Sequence, residues 1–333
     1  MTRSIEHGTH RKISRWRLGT AVILCLIGLS FILPNRVLRW WVIDGQYEKP
    51  QWSPDGNQIL YLYHEGSSDQ RLVVTNRNAI WPRLDLHGPI LEEPSWRSDT
   101  EVSVFYNLFD LNVSYVPKLV LWLWNLDTGV QQTFDAPLPA VSGIAWSPDG
   151  SYALISFQDF ESSSPKNVKP AIYKFTPHTG QFMVWREAEW PGAIRWSHDG
   201  RYVAYLDLIS IGQEKQWELH IVDMHCETCN KTIRLTAFST DNRLAWSPSG
   251  KWILLHQTRI ENLSPSRSNH QTLTGFTFLA VDDPEYQAFW EDTENYHDLD
   301  WSVNGDEIIA ITVPQPWVGF NKMHVIHVPE KFR

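Results

Sequence analysis

The sequence predicts an all-β fold: a six-bladed β-propeller of four-stranded antiparallel blades, preceded by one N-terminal transmembrane helix. Three observations lead there. A tryptophan-led phrase recurs six times at a spacing near 50 residues. Each copy is followed by short apolar runs rich in β-branched and aromatic residues. One uncharged apolar segment stands near the N-terminus, behind a basic tail.

The six copies are "WSPDG" at 52–56, "WRSDT" at 96–100, "WSPDG" at 146–150, "WSHDG" at 196–200, "WSPSG" at 246–250 and "WSVNG" at 301–305. Their tryptophans, Trp52, Trp96, Trp146, Trp196, Trp246 and Trp301, lie 44, 50, 50, 50 and 55 residues apart. Repeats of this length belong to propeller blades or to helical arrays. The flanking residues decide between them. After the phrase come runs such as "QILYLY", "YALISF" and "EIIAIT", then a second pair such as "AIYKF" and "QFMVW" split by "TPHTG". These are strand-length runs bounded by turn residues, without a sustained 3.6-residue apolar period. Each repeat therefore reads as four strands, a to d.

Inside the phrase, Trp closes strand a. Ser, Pro, Asp and Gly then stand at the four positions of a type I turn, where Pro presets φ and Ser or Asp can bond nearby amides. The tryptophans are expected to fill the wedge between adjacent blades rather than to form an aromatic ligand box. Only 32 residues follow Trp301, enough for strand b at 306–313 and strand c at 322–328 but not for d. "VLRWWVID" at 37–44 stands before the first phrase, in the place strand d takes in the other repeats. Residues 37–44 are thus expected to close the last blade, so that the propeller spans 37–333 and its open sheet edges are removed.

With these repeats the chain resembles the TolB-like six-bladed β-propellers, whose repeat carries a WSPDG-type signature, over roughly residues 37–333. The resemblance implies a scaffold for binding and no particular chemistry. Neither the additional α/β domain of TolB-type proteins nor the α/β-hydrolase domain of dipeptidyl-peptidase-type enzymes is expected here, and there is no G-x-S-x-G nucleophile elbow.

Residues 18–34, "LGTAVILCLIGLSFILP", are apolar and uncharged, and Arg3, Arg11, Lys12, Arg15 and Arg17 precede them against one acid, Glu6. That bias predicts a cytoplasmic tail at 1–17, a transmembrane anchor at 18–34 and an extracytoplasmic propeller, periplasmic or extracellular. A cleaved signal peptide is the alternative, although no small-x-small site follows. The chain carries a net charge of −9. Residues 1–36 hold six of its 29 basic and one of its 38 acidic residues, which leaves 23 against 37, a net −14, beyond them. That balance excludes a general nucleic-acid surface and docking of the ectodomain on anionic lipid through a polybasic face.

Little in the sequence points to catalysis. No P-loop, H-E-x-x-H or EF-hand loop occurs, and no catalytic residue, metal or cofactor is expected. "HCETCN" at 225–230 contains C-x-x-C in the c–d turn of the fourth repeat. Without a second such pair, and in an exported chain, Cys226 and Cys229 are expected to form a local disulfide; free thiols and a metal or redox pair are the alternatives. Three N-x-S/T matches, at 112, 230 and 262, are read as unmodified loop residues.

The b–c connections are long and varied: 107–117, 159–170, 209–216, 258–271 and 314–321. Long loops on a rigid frame are common recognition elements. Phe109, Tyr115, Phe160, Arg259, Trp317 and Phe320 are the candidate anchors for a partner there. The expected function is a membrane-anchored scaffold that binds a protein or peptide, within a cell-envelope assembly. The alternative is a hydrolase or lyase acting on a glycan or peptide through the central channel. A channel lined by histidines and acids would favour the enzyme; a closed apolar channel with an exposed aromatic loop face would favour binding.

Overall fold

The computed structural model describes residues 46–333 apart from 65–69, 78–81, 89–90, 109–117, 139, 159–168, 236–242, 263–269, 284–285, 293–295 and 313–320, with backbone alone at 108, 118, 257–262, 270–274, 292 and 297. All belong to the second of the two units into which the chain divides, Asp44–Arg333. The expected anchor and closing strand lie outside the described residues. Among those described, no helix is long and apolar enough to cross a membrane.

Six antiparallel sheets follow one another along the chain. Blade 1 is β1 (Gln46–Trp52), β2 (Gln58–His64), β3 (Gln70–Asn76) and β4 (Pro82–Gly88). Blade 2 is β5 (Leu91–Ser98), β6 (Glu101–Leu108), β7 (Lys118–Asn125) and β8 (Gln131–Asp135). Blade 3 is β9 (Gly143–Trp146), β10 (Ala153–Phe157), β11 (Ala171–Thr176) and β12 (Gln181–Glu187). Blade 4 is β13 (Pro191–Trp196), β14 (Tyr202–Ile211), β15 (Glu214–Asp223) and β16 (Lys231–Arg234). Blade 5 is β17 (Leu244–Trp246), β18 (Trp252–Asn262), β19 (His270–Ala280) and β20 (Gln287–Asp292). Blade 6 has three strands among the described residues, β21 (Tyr296–Trp301), β22 (Glu307–Thr312) and β23 (Met323–His327). The fold is an all-β six-bladed propeller.

The apolar core is divided into six clusters, one at each seam between neighbouring blades. Phe105, Leu121 and Leu123 of blade 2 pack against Trp146, Ile155 and Phe175 of blade 3. The sixth seam joins the ends of the ring: Trp52, Tyr61 and Tyr63 of blade 1 pack on Ile309 and Met323 of blade 6. Polar contacts reinforce this seam. Asn321 accepts from the Tyr47 amide at 2.6 Å and donates to its carbonyl at 2.7 Å, and Arg77 pairs with Glu307 at 2.5 Å. Blades 1 and 6 are thus in direct contact, whatever supplies the outer strand.

The repeated phrase does more than turn the chain. In blade 1, the Gly56 amide donates to the Ser53 carbonyl at 2.8 Å, and the Asp55 carboxylate accepts the Asn57 amide at 3.1 Å. Gly56 takes a φ of 72°, which glycine adopts without steric cost. A side chain there would meet Val303 of blade 6, and one at Gly200 would meet Pro148 of blade 3. At these seams, and at Gly305 over Pro248, the second turn position therefore also packs beneath the glycine of the next blade, whereas Gly250 faces open space. "WRSDT" departs from this pattern. Trp96 pairs with Val102 where Trp52 pairs with Ile59, one residue fewer. With no glycine to take the left-handed position, blade 2 closes on a shorter turn in which the Ser98 hydroxyl accepts the Thr100 and Glu101 amides.

A second departure concerns 209–216, expected as a loop. It is a continuous hairpin: Ile211 pairs with Glu214 across a two-residue turn in which Gly212 has φ 65°. The β-branched run at 209–211 extends the ladder instead of ending it.

Candidate binding site in the central channel

Strand a is the innermost strand of each blade, and its residues alternate in direction. The blade tryptophan and the residue two before it face the preceding blade, as Trp146 and Ile144 do in the seam with blade 2. The residues one and three before it face the following blade and the channel. The outer of these two tiers, three before Trp, is Lys49, Glu93, Gly143, Ala193, Arg243 and Asp298. The inner tier, one before Trp, is Gln51, Ser95, Ala145, Arg195, Ala245 and Asp300 and lies nearer the "WSPDG" turns.

Four members of the outer tier form one network. The Lys49 amine pairs with Glu93; Arg243 Nη1 lies 3.3 Å from Glu93 Oε2, and Arg243 Nε lies 2.6 Å from Asp298 Oδ1. Asp298 Oδ2 also accepts the Lys49 amide at 2.8 Å. Blades 2 and 5 stand opposite each other in a six-membered ring, so the Arg243–Glu93 pair crosses the channel. Gly143 and Ala193 on the facing blades leave room for it. Burial pushes the Glu93 carboxyl up, but Lys49 and Arg243 outweigh that effect and hold it at about 2. Lys49 and Glu93 are the non-glycine residues at positive φ among those described, at 53° and 45°. Both sit at irregularities in the pairing of strand a, a device that re-aims side chains. Each such conformation costs about 1–3 kcal/mol, which the surrounding pairs must offset.

The inner tier is less complete. Asp300 Oδ2 accepts the Trp52 amide across the seam at 2.7 Å. Gln51 donates to the Pro94 carbonyl at 2.5 Å. Burial pushes the Asp300 carboxyl up to about 6, with Arg195 and the Trp52 and Trp301 amides restraining the rise. Arg195 takes no part in this stitching from blade to blade: its Nη1 donates at 3.0 Å to the carbonyl of its own neighbour, Ile194. Burial lowers its pKa, and the charges it feels are Asp300, Arg243, Glu93 and Asp298, from blades 6, 5 and 2. Only the channel brings those together. Both Arg195 and Asp300 retain part of their surface.

The residues singled out from sequence fall elsewhere. Phe109, Tyr115, Phe160, Trp317 and Phe320 lie outside the described residues. Arg259 stands on β18, paired in register with Leu273. Cys226 and Cys229 are joined by a disulfide in the β15–β16 turn. Five blade tryptophans are buried; Trp196 is half-buried. Three of their indoles stitch the seams: Trp146 donates to Ser103 Oγ at 2.9 Å, Trp96 to the Gln51 carbonyl at 3.3 Å and Trp246 to the Arg195 carbonyl at 3.2 Å, while Trp301 donates to the Gly305 carbonyl of its own turn at 3.2 Å. The channel charges were not singled out. Reading the positions one and three before each Trp as columns would have found them. Neither sequence criterion is met, for the channel is charged and ion-paired rather than apolar, and histidine is absent from both tiers. Among the described residues no group of three or more His, Cys, Asp or Glu is arranged for a metal ion.

No family model matches the chain, and no curated protein matches it. Solved structures do. Hydrazine synthase of Kuenenia stuttgartiensis aligns with a TM-score of 0.55 at 12% identity, over 79% of this chain and 73% of that one. TolB from Acinetobacter baumannii aligns at 0.52 and 16%, over 83% of this chain and 62% of TolB. The chain is distantly similar in structure to the TolB propeller. The β-propeller domain of the trilobed protease from Pyrococcus furiosus, described as having an open velcro topology, aligns at 0.52 and 10%, over 85% and 82%. At these identities the likeness concerns the fold alone.

Proposed function

We propose that this chain is a single-pass membrane protein, anchored by residues 18–34 with residues 1–17 in the cytoplasm, and that its propeller binds a protein or peptide outside the cytoplasm. The observation that carries the binding reading is the uneven b–c face. The b–c strands of blades 4 and 5 run for 10 and 11 residues, against 5 to 8 elsewhere, so their hairpins project from a rigid ring. Ile211, at the tip of the β14–β15 hairpin, is 43% exposed. An apolar tip on a stiff, raised hairpin suits a partner surface. Phe109, Tyr115, Phe160, Arg259, Trp317 and Phe320 are the proposed contacts on the same face. The Arg243–Glu93 pair across the channel weighs against the alternative of a glycan or peptide threaded through it for hydrolysis.

Residues 37–44 are proposed as the fourth strand of blade 6, beside β23. That arrangement would differ from the open topology described for the trilobed protease propeller.

Sidedness tests the membrane part. In right-side-out vesicles a membrane-impermeant amine reagent should modify Lys251, an exposed turn residue, and spare Lys12. The chain should also stay with the membrane through an alkaline wash. Release by alkali, or modification of Lys12 with Lys251 protected, would overturn it.

A further inference from the structure

We propose that the inner tier of the channel is a carboxylate-binding site, with the Arg195 guanidinium as its anion receptor. Lys49, Glu93, Arg243 and Asp298 neutralise one another by direct contact. Arg195 stands outside that network: no carboxylate oxygen among the described residues lies within ion-pair distance of it, and Asp300 is turned to the Trp52 amide. A guanidinium offers five N–H donors in a planar fork. The Ile194 carbonyl engages one nitrogen of that fork, and Arg195 keeps accessible surface in the channel. The small residues around it, Ser95, Ala145 and Ala245, place no competing charge in the tier. A planar carboxylate is the group that such a fork binds in two parallel bonds.

Asp300 gives the site a second property. Its carboxyl is already pushed up to about 6 by burial. An anion on Arg195 adds negative charge beside it and favours its protonated form. Glu93 is held ionised by Lys49 and Arg243, and Asp300 is the group that takes up a proton on binding. The same chemistry could come from a small free carboxylate or from the C-terminal carboxylate of a peptide that enters from the turn face. The proposal does not depend on the partner surface described above.

The test uses the full chain in detergent, with acetate, a short peptide bearing a free C-terminal carboxylate, and the same peptide amidated, at constant ionic strength. Acetate or the free-acid peptide should bind saturably, take up protons between pH 6 and 7.5 (at most about half a proton at pH 6, where free Asp300 is already half protonated), and bind at least tenfold more tightly at pH 5.5 than at pH 7.5. Arg195→Gln should abolish binding, Arg195→Lys should keep part of it, and Arg201→Gln, at an exposed arginine outside the channel, should leave it intact. A free-acid peptide binding tenfold more tightly than acetate would assign the site to a chain terminus; equal binding would assign it to a small carboxylate. Absence of saturable binding, equal binding of the amidated and free-acid peptides, or undiminished binding in folded Arg195→Gln would overturn the proposal. Should Arg195→Gln fail to fold, Arg195→Lys with the proton count decides: unchanged affinity and no proton uptake would overturn it.

Discussion

Each blade tryptophan fills its seam, as the six-fold repeat suggested. Three of them, Trp96, Trp146 and Trp246, do a second job that sequence did not make legible: the indole N–H ties the seam by reaching a polar atom of the preceding blade. Trp146→Ala should therefore cost about 3–5 kcal/mol, through an emptied aromatic site and the lost hydrogen bond to Ser103. Met183→Ala, at a side chain that is 62% exposed, should stay within about 0.5 kcal/mol. Chemical denaturation of both variants checks this, and equal losses would contradict it. The channel residues were harder to read, since a lysine, a glutamate or an arginine before a turn looks like solvated surface. Their meaning appears only when columns from distant repeats are aligned. Asp300 supplies a titration test. Its folded value of about 6 exceeds the ordinary 3.8, so the folded state holds the proton more tightly between those pH values. Its contribution to stability must then fall as pH rises from about 4 to 6. Glu93, held at about 2, works in the opposite sense, with its contribution lost as pH falls from about 4.5 towards 2. Asp300→Asn keeps an acceptor for the Trp52 amide and removes the titration. Its melting temperature should rise relative to the parent protein across pH 4 to 6; a constant difference would show that Asp300 does not titrate there.

Among the elements, strands a to d were legible because their apolar runs and turn residues are local signals. The shorter turn in blade 2 and the extended β14–β15 hairpin were not. The first depends on the absence of one glycine, the second on whether a β-rich run continues a ladder, and both are settled by pairing rather than by composition. The outermost described strand of blade 6 poses the sharpest question at this scale. Along β23, Val325 is 52% exposed, and no fourth strand accompanies it among the described residues. An apolar sheet edge of this kind invites pairing with another chain. Removing residues 37–44 should lower the melting temperature and promote aggregation. A deletion variant that melts and stays monomeric like the parent would show that those residues do not cover β23.

At the scale of the whole molecule, six seams of similar construction make a ring whose first and last blades touch directly, and whose channel is bridged by charge rather than filled by apolar side chains. Such a frame is rigid at its centre, which leaves the raised b–c hairpins as the surface able to differ from one propeller to another. This face, and not the turn face, is the one proposed to meet the partner. A photo-crosslinking amino acid placed at Ile211 on the β14–β15 hairpin, and separately at Asp149 in a "WSPDG" turn, tests it in the native membrane. A discrete adduct is expected from position 211, reduced by substitution of Trp317 or Phe320, and none from position 149. A discrete adduct from 149 with none from 211 would contradict it and move the binding face to the turns.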